Sequence, residues 1–175
     1  MKLMRQNSTV LIFYFSVLVL FFNFPALAAE PKKISEVYKA EEIKQGNLLF
    51  QKANEFFQDR NYTKSIEELK LFLVLYLRHP KEWEARKLLS SAYRKTRDTV
   101  ALAQNELMMY KDYPNTEEGL DAYLESARAF VRMGREEKAI AILKDITANT
   151  YSSKIAQEAE MELSQLEILS EGKNK

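Results

Sequence analysis

Between Leu120 and Tyr151 apolar and polar positions recur with a helical period. Tyr123, Ser126, Ala127 and Phe130 form one stripe, and Ala139, Ile142, Leu143 and Ile146 form a second. A short turn at Met133-Gly134-Arg135 separates them. The spacing predicts two amphipathic helices folded into a hairpin, with the small Ala127 and Ala139 at the crossing and Tyr123, Phe130 and Leu143 filled in around it. One hairpin cannot bury both of its apolar faces, so the pattern requires neighbours.

Two earlier stretches repeat the pattern, Leu48 to Pro80 and Ala85 to Pro114. Each opens with a small residue three before an aromatic: Ala53/Phe56, Ser90/Tyr93 and, in the last copy, Ala127/Phe130. A second helix follows each time, led by Ser65, Leu102 and Ala139. The small residues stand 37 apart. The chain therefore resembles the tetratricopeptide-repeat (TPR) family, whose units are about 34 residues long. The helix ends at Tyr76 to Pro80 and Tyr113-Pro114 resemble its bacterial envelope subgroup, which includes the BamD-like lipoproteins and the C-terminal domain of Tol-Pal accessory proteins. The resemblance covers about residues 45 to 165 and is weakest in the second unit, where Leu102 replaces an alanine and Glu106 a bulky residue.

That resemblance implies an all-α, right-handed superhelix of three hairpins, lined on its concave face by the first helix of each unit. It puts Phe50, Asn54 and Phe57, then Lys87, Ser91, Arg94 and Lys95, then Leu124, Arg128, Val131 and Arg132 on a partner-binding groove. Exposed aromatics one heptad apart imply a contact, and the arginines could grip a carboxylate. The competing expectation has the aromatics pack on the helix over residues 35–46 and leaves the arginines as surface charges. The two-carboxylate clamp of some TPR domains is not matched, because Phe50, Leu88, Asp121 and Glu125 stand at its positions and only Asn54 agrees.

Elsewhere the pattern predicts a helix, or two meeting near Gly46, from Ser35 to Gln58. Asn61 caps the next, whose run Leu69 to Leu77 is apolar nearly all round and is expected to be buried against flanking hairpins. Trp83 packs at the start of the second unit, Thr96 or Asp98 caps its second helix, and Asn115 with Glu118 reads as a capping box. Gly134 closes a helix as a left-handed cap. Lys154 to about Leu169 forms an unpaired terminal helix, the usual cover for the end of a repeat array, and residues 172–175 form a frayed tail. Seven helices are expected, and no strand.

The first 28 residues have the form of a cleavable export signal. Lys2 and Arg5 precede an uncharged run, Val10 to Phe22, then Pro25 and the small-residue site Ala26-Leu27-Ala28. The run is shorter than a spanning helix needs. Cleavage after Ala28 would leave a loose arm over residues 29–34 and a helical domain over residues 35–171, in the periplasm or, alternatively, secreted. No cysteine is present, so neither a lipid anchor nor a disulfide is available. Without Lys2 and Arg5 the chain has 24 basic against 25 acidic residues, interspersed throughout, which gives no pull toward nucleic acid.

Catalytic constellations are missing from the pattern. The single histidine, His79, is expected to be a solvated loop residue. The four glycines are scattered, which excludes a phosphate loop, and no serine is paired with a base. The carboxylate pairs Glu41/Glu42, Glu67/Glu68 and Asp121/Glu125 read as solvated helix faces, with Asp121 and Glu125 beside Arg128 for ordinary helical ion pairing. The expected function is a non-catalytic scaffold for another envelope protein, without metal or cofactor. The alternatives are a self-assembling structural protein, through Leu69 to Leu77 or the last helix, and, least favoured, an envelope hydrolase.

Overall fold

The computed structural model describes residues 31–173. The export signal, its cleavage site and residues 29–30 lie outside the described residues, as do the last two of the expected tail. Seven α-helices follow one another, with no strand among the described residues. They are α1 (Pro31–Gln58), α2 (Tyr62–Leu75), α3 (Glu82–Thr96), α4 (Thr99–Asp112), α5 (Glu117–Arg132), α6 (Glu136–Asn149) and α7 (Ser153–Lys173). The helix expected from Ser35 begins at Pro31, a residue pre-set for a first helical turn. The last helix continues to Lys173, past the Leu169 expected as its end.

The fold divides into two units after Ala40. In the first, the described residues are the opening turns of α1, with Ile34, Val37 and Tyr38 exposed. In the second, each of α2 to α7 packs antiparallel on the next, and α7 also reaches back to α5. The remainder of α1 packs on α2 through Phe50 against Phe72, ring centres 6.0 Å apart, and an ion pair of 2.6 Å between Lys52 and Glu68.

The hairpins share one joint. After α1, α3 and α5 a single residue takes a left-handed conformation: Arg60 (φ 61°), Arg97 (φ 59°) and Gly134 (φ 68°). The amide of the following residue then donates to the carbonyl five residues back: Asn61 to Phe56 (2.8 Å), Asp98 to Tyr93 (3.0 Å) and Arg135 to Phe130 (2.9 Å). The same bonds serve helix C-termini generally. The three joints stand 37 residues apart, as do the buried Ala53, Ser90 and Ala127 and the buried Ser65, Leu102 and Ala139. The far ends repeat as well, since Tyr76, Tyr113 and Thr150 each donate an amide to the carbonyl four residues earlier. Asn61 caps α2 and Asp98 caps α4, the latter accepting from the Ala101 amide at 3.0 Å. For α5 the cap is Thr116, accepting from Gly119, in place of the expected Asn115.

Two expectations fail in the first hairpin. His79 is 7% exposed, so it is no solvated loop residue. Its Nδ1 accepts from the Lys81 amide at 3.0 Å, and its Nε2 lies 3.0 Å from the Ile43 carbonyl oxygen. These partners require the neutral tautomer with the proton on Nε2. The ring lies against the backbone of α1 at Gly46, where a Cβ would come within 2.7 Å of it. That approach explains a buried glycine in mid-helix. The apolar run of α2 also fails to be buried all round: Leu69 and Phe72 are in the core, whereas Leu71, Val74, Leu75 and Leu77 are exposed. Among the described residues no hairpin covers that face.

Arg60 and Gly134 occupy equivalent left-handed positions, and a non-glycine residue there costs roughly 1–2 kcal/mol. Arg60→Gly is therefore expected to stabilise the protein by about 0.5 kcal/mol, after the greater freedom of glycine in the unfolded chain is subtracted. Gly134→Ala, with open space around it, should cost about 1 kcal/mol. Gly46→Ala, which displaces His79, should cost about 2 kcal/mol. Urea unfolding followed by circular dichroism tests all three, and a stabilising Gly134→Ala would contradict the shared joint.

Candidate functional site

Lys87, Ser91, Arg94, Arg128 and Arg132 sit on α3 and α5, where a ladder of ion pairs crosses the surface. Arg94 on α3 meets Glu106 on α4 at 3.0 Å and Glu125 on α5 at 3.2 Å. Arg128, one turn beyond Glu125, meets it at 2.8 Å and continues to Glu158 (3.3 Å) and Glu162 (2.6 Å) on α7. One connected array of charge thus ties four helices together.

Glu106 is the anomaly in this array. It is 3% exposed and stands 37 residues from both Leu69 and Leu143, which are core leucines of the other hairpins. A carboxylate in a leucine's place must be paired or neutralised. Burial pushes its pKa up, opposed by the Ser90 hydroxyl and the Arg94 guanidinium. Around it the second hairpin has a polar core: Asn105 donates to the Arg86 carbonyl (3.0 Å) and the Ser90 hydroxyl (2.7 Å). Arg86 is itself buried and pairs with Glu82 and Asp112, each at 3.1 Å. Burial also raises Glu125, but hydrogen bonds and charge from Arg128 and Arg94 outweigh it and hold that carboxyl below its ordinary range.

The residues expected to line a groove fare differently. Leu124 is 0% exposed and belongs to the core, so it faces no groove. The reason is its place on the stripe of α5 that packs between neighbouring helices. Phe50 is half-buried against Phe72, with the Lys81 ammonium 5.1 Å from its ring centre. Phe57 meets Tyr62 edge-on at 5.3 Å. The aromatics thus pack on α2, where the alternative to a groove had them on residues 35–46. Asn54 is half-buried beside them. Arg94 and Arg128 are engaged by the chain's own carboxylates. Ser91 donates to the Lys87 carbonyl at 3.0 Å, within its own helix.

Three clefts open on this face. One, of about 390 Å³, is bounded by Arg128, Val131 and Arg132 of α5 and Glu162, Gln165 and Leu166 of α7. A second, of about 410 Å³, lies between the ends of α3 and α5 and the start of α4, where Arg94, Arg97 and Arg132 meet. A shallower third, of about 160 Å³, holds Lys87 and Arg94 opposite Glu118, Asp121 and Glu125. Phe50, Asn54 and Phe57 line none of the three. Glu158, Glu162 and Arg97 were not among the expected residues, and Glu106 stood out in the sequence only as an acid where the repeat has a bulky residue, with no role attached.

Removing one partner of a buried pair strands the other, while replacing both with apolar groups can be neutral or favourable. Arg94→Ala is expected to cost about 2 kcal/mol, below the figure for a fully buried pair because much of Arg94 remains in water. Glu106→Leu, the residue of the other two units, should stabilise by about 1 kcal/mol at neutral pH. The pH dependence carries a sign. Folding raises the Glu106 pKa, so its contribution is fully present below the unfolded value and is lost as pH rises through the folded one. The difference in stability between Glu106→Leu and the parent should therefore shrink on acidification. Denaturant titrations over the carboxylate range measure it, and a gap that widens toward low pH would refute this account.

Comparison with models of known protein families gives no match for this chain, and comparison with curated protein sequences gives none either.

Proposed function

We propose that this protein is an exported, non-catalytic adaptor of tetratricopeptide type, which holds another envelope protein on the face made by α3, α5 and α7. The observation that carries the reading is the threefold recurrence, at 37 residues, of one left-handed joint and one set of buried positions. Recurrent hairpins of this kind stack into extended surfaces suited to recognition. The right-handed curvature, the periplasmic location and the envelope partner remain parts of this proposal, drawn from the resemblance and the export signal. Two features of the side chains favour binding over catalysis. The only imidazole is committed to main-chain groups on both nitrogens. Arg94 and Arg128, at the centre of the face, are largely neutralised by Glu106, Glu125, Glu158 and Glu162.

Partner contact then falls to the groups the ladder leaves open: Lys87, Ser91, Val131 and Arg132, with Asn54 at one end. A photo-crosslinking residue placed at Lys87 or Arg132, in the native cell, is expected to trap a single envelope protein. The same residue at the exposed Gln104 or Ala141, on α4 and α6, should trap nothing above background. Equal labelling from all four positions would sink the proposal.

The bare apolar end of α2 favours a second reading, self-assembly through that helix. Leu71, Val74 and Leu75 form one strip at helical spacing, and a twofold pairing of such strips is self-complementary. On this reading the protein sediments as a dimer at tens of micromolar, and Leu71→Glu with Val74→Lys makes it monomeric. A parent protein that is already monomeric removes the second reading and leaves the first intact.

A further inference from the structure

The cleft between α3, α4 and α5 has a composition unlike its neighbours. Three guanidinium-bearing residues, Arg94, Arg97 and Arg132, line it together with Tyr93, Thr99 and Leu102, and no carboxylate does. Arg94 is balanced by Glu106 and Glu125. Among the described residues neither Arg97 nor Arg132 has an ion-pair partner, although the Arg132 charge is felt at Glu106. The nearby Asp98 carboxylate accepts from the Ala101 amide as the cap of α4. Two positive charges therefore border the space unpaired.

One further donor lies there. The first-turn amides of α4 are engaged, Thr99 by the Arg97 carbonyl, Ala101 by the Asp98 carboxylate and Leu102 by the Asp98 carbonyl, which leaves a side chain to supply it. The Thr99 hydroxyl makes only a long 3.5 Å bond, to the Arg97 carbonyl, and is free to turn to a ligand. The backbone holds Arg97 in place through its left-handed joint.

We propose that this cleft binds a phosphate monoester. Charge decides the class. Two unpaired guanidinium groups match a dianion, whereas a carboxylate would neutralise one and leave the other facing it. Geometry agrees, because planar guanidinium forks suit the paired oxygens of a phosphate and a hydroxyl at a helix start supplies a donor for a third. A volume of about 410 Å³ takes the phosphate together with the first part of whatever bears it. The site shares Arg132 with the proposed partner face but does not rest on that reading, and it stands if no protein partner exists.

Titration of the isotopically labelled protein with glycerol 3-phosphate at low ionic strength tests the proposal, read by the Arg97 and Arg132 side-chain N–H signals and the Thr99 amide. Saturable shifts confined to these groups are expected, with acetate at least tenfold weaker. Arg97→Gly removes a guanidinium while relieving a positive-φ strain, so it keeps the fold; it and Arg132→Gln should each weaken binding at least fivefold. Vesicles of phosphatidylcholine carrying phosphatidic acid, compared with phosphatidylglycerol, distinguish the source of the phosphate. Retention on the monoester lipid alone, with weak binding of the soluble ester, assigns a lipid headgroup; the reverse assigns a soluble ligand. Acetate binding as tightly as phosphate, shifts spread evenly over the basic surface, or variants that bind like the parent would each overturn the site.

Discussion

One backbone device sets the architecture: a left-handed residue after the first helix of each hairpin, followed by an amide that reaches back five residues to a helix carbonyl. It satisfies groups that a helix end otherwise leaves unpaired, and it reverses the chain over four residues or so. Because the bonds run from main chain to main chain, Arg60, Arg97 and Gly134 can serve alike. The two arginines bear a conformational cost that glycine avoids. Once the reversal is made in the same way three times, Ser65, Leu102 and Ala139 come to the same depth against Ala53, Ser90 and Ala127.

On that regular frame the second hairpin departs from apolar packing. Glu106 takes a leucine's register, Asn105 and Arg86 are buried with it, and Arg94 comes across from α3 to compensate. The compensation propagates, because Arg94 also takes Glu125, which Arg128 shares with two acids of α7. A buried ion pair adds little net stability against an apolar alternative but restricts which arrangements of helices satisfy its charges. Here it binds α3 and α5, which have no extensive backbone contact of their own, through side chains alone. Arg94 and Arg128, two of the three arginines that a family pattern would offer to a partner, are thereby spent on the fold.

Helix number, order and most caps were legible because they depend on local rules, the cap of α5 falling one residue later than expected, on Thr116. The stripes of α5 and α6 follow the helical period, and Asn61, Asp98 and Gly134 perform at the positions where their chemistry is useful. What stayed hidden depends on contacts distant in sequence. His79 looks like a loop residue until Ile43 and Gly46 of α1 are brought beside it, 36 and 33 positions away. Leu124 looks like groove lining because the family's pattern puts its position on the concave face, yet its side of α5 is enclosed. Leu69 to Leu77 reads as core because an apolar run implies burial, whereas among the described residues α2 has neighbours on one side and leaves Leu71, Val74, Leu75 and Leu77 exposed. Comparison with the repeat pattern marks Glu106 as a departure, but only the fold, by bringing Arg94 of α3 to it, shows the departure to be compensated.

The joint has a bearing on how such a chain can change over generations. A reversal written in amide and carbonyl groups makes no use of the side chain at its centre, so an arginine can stand where a glycine does at a modest conformational cost. A block of 37 residues can then be duplicated or lost with its joint already complete, and only the faces it shows to its neighbours must be renegotiated. The number of hairpins becomes a quantity the gene can vary in whole steps, while the ladder from Arg94 to Glu162 marks the place where such a cut would be least tolerated.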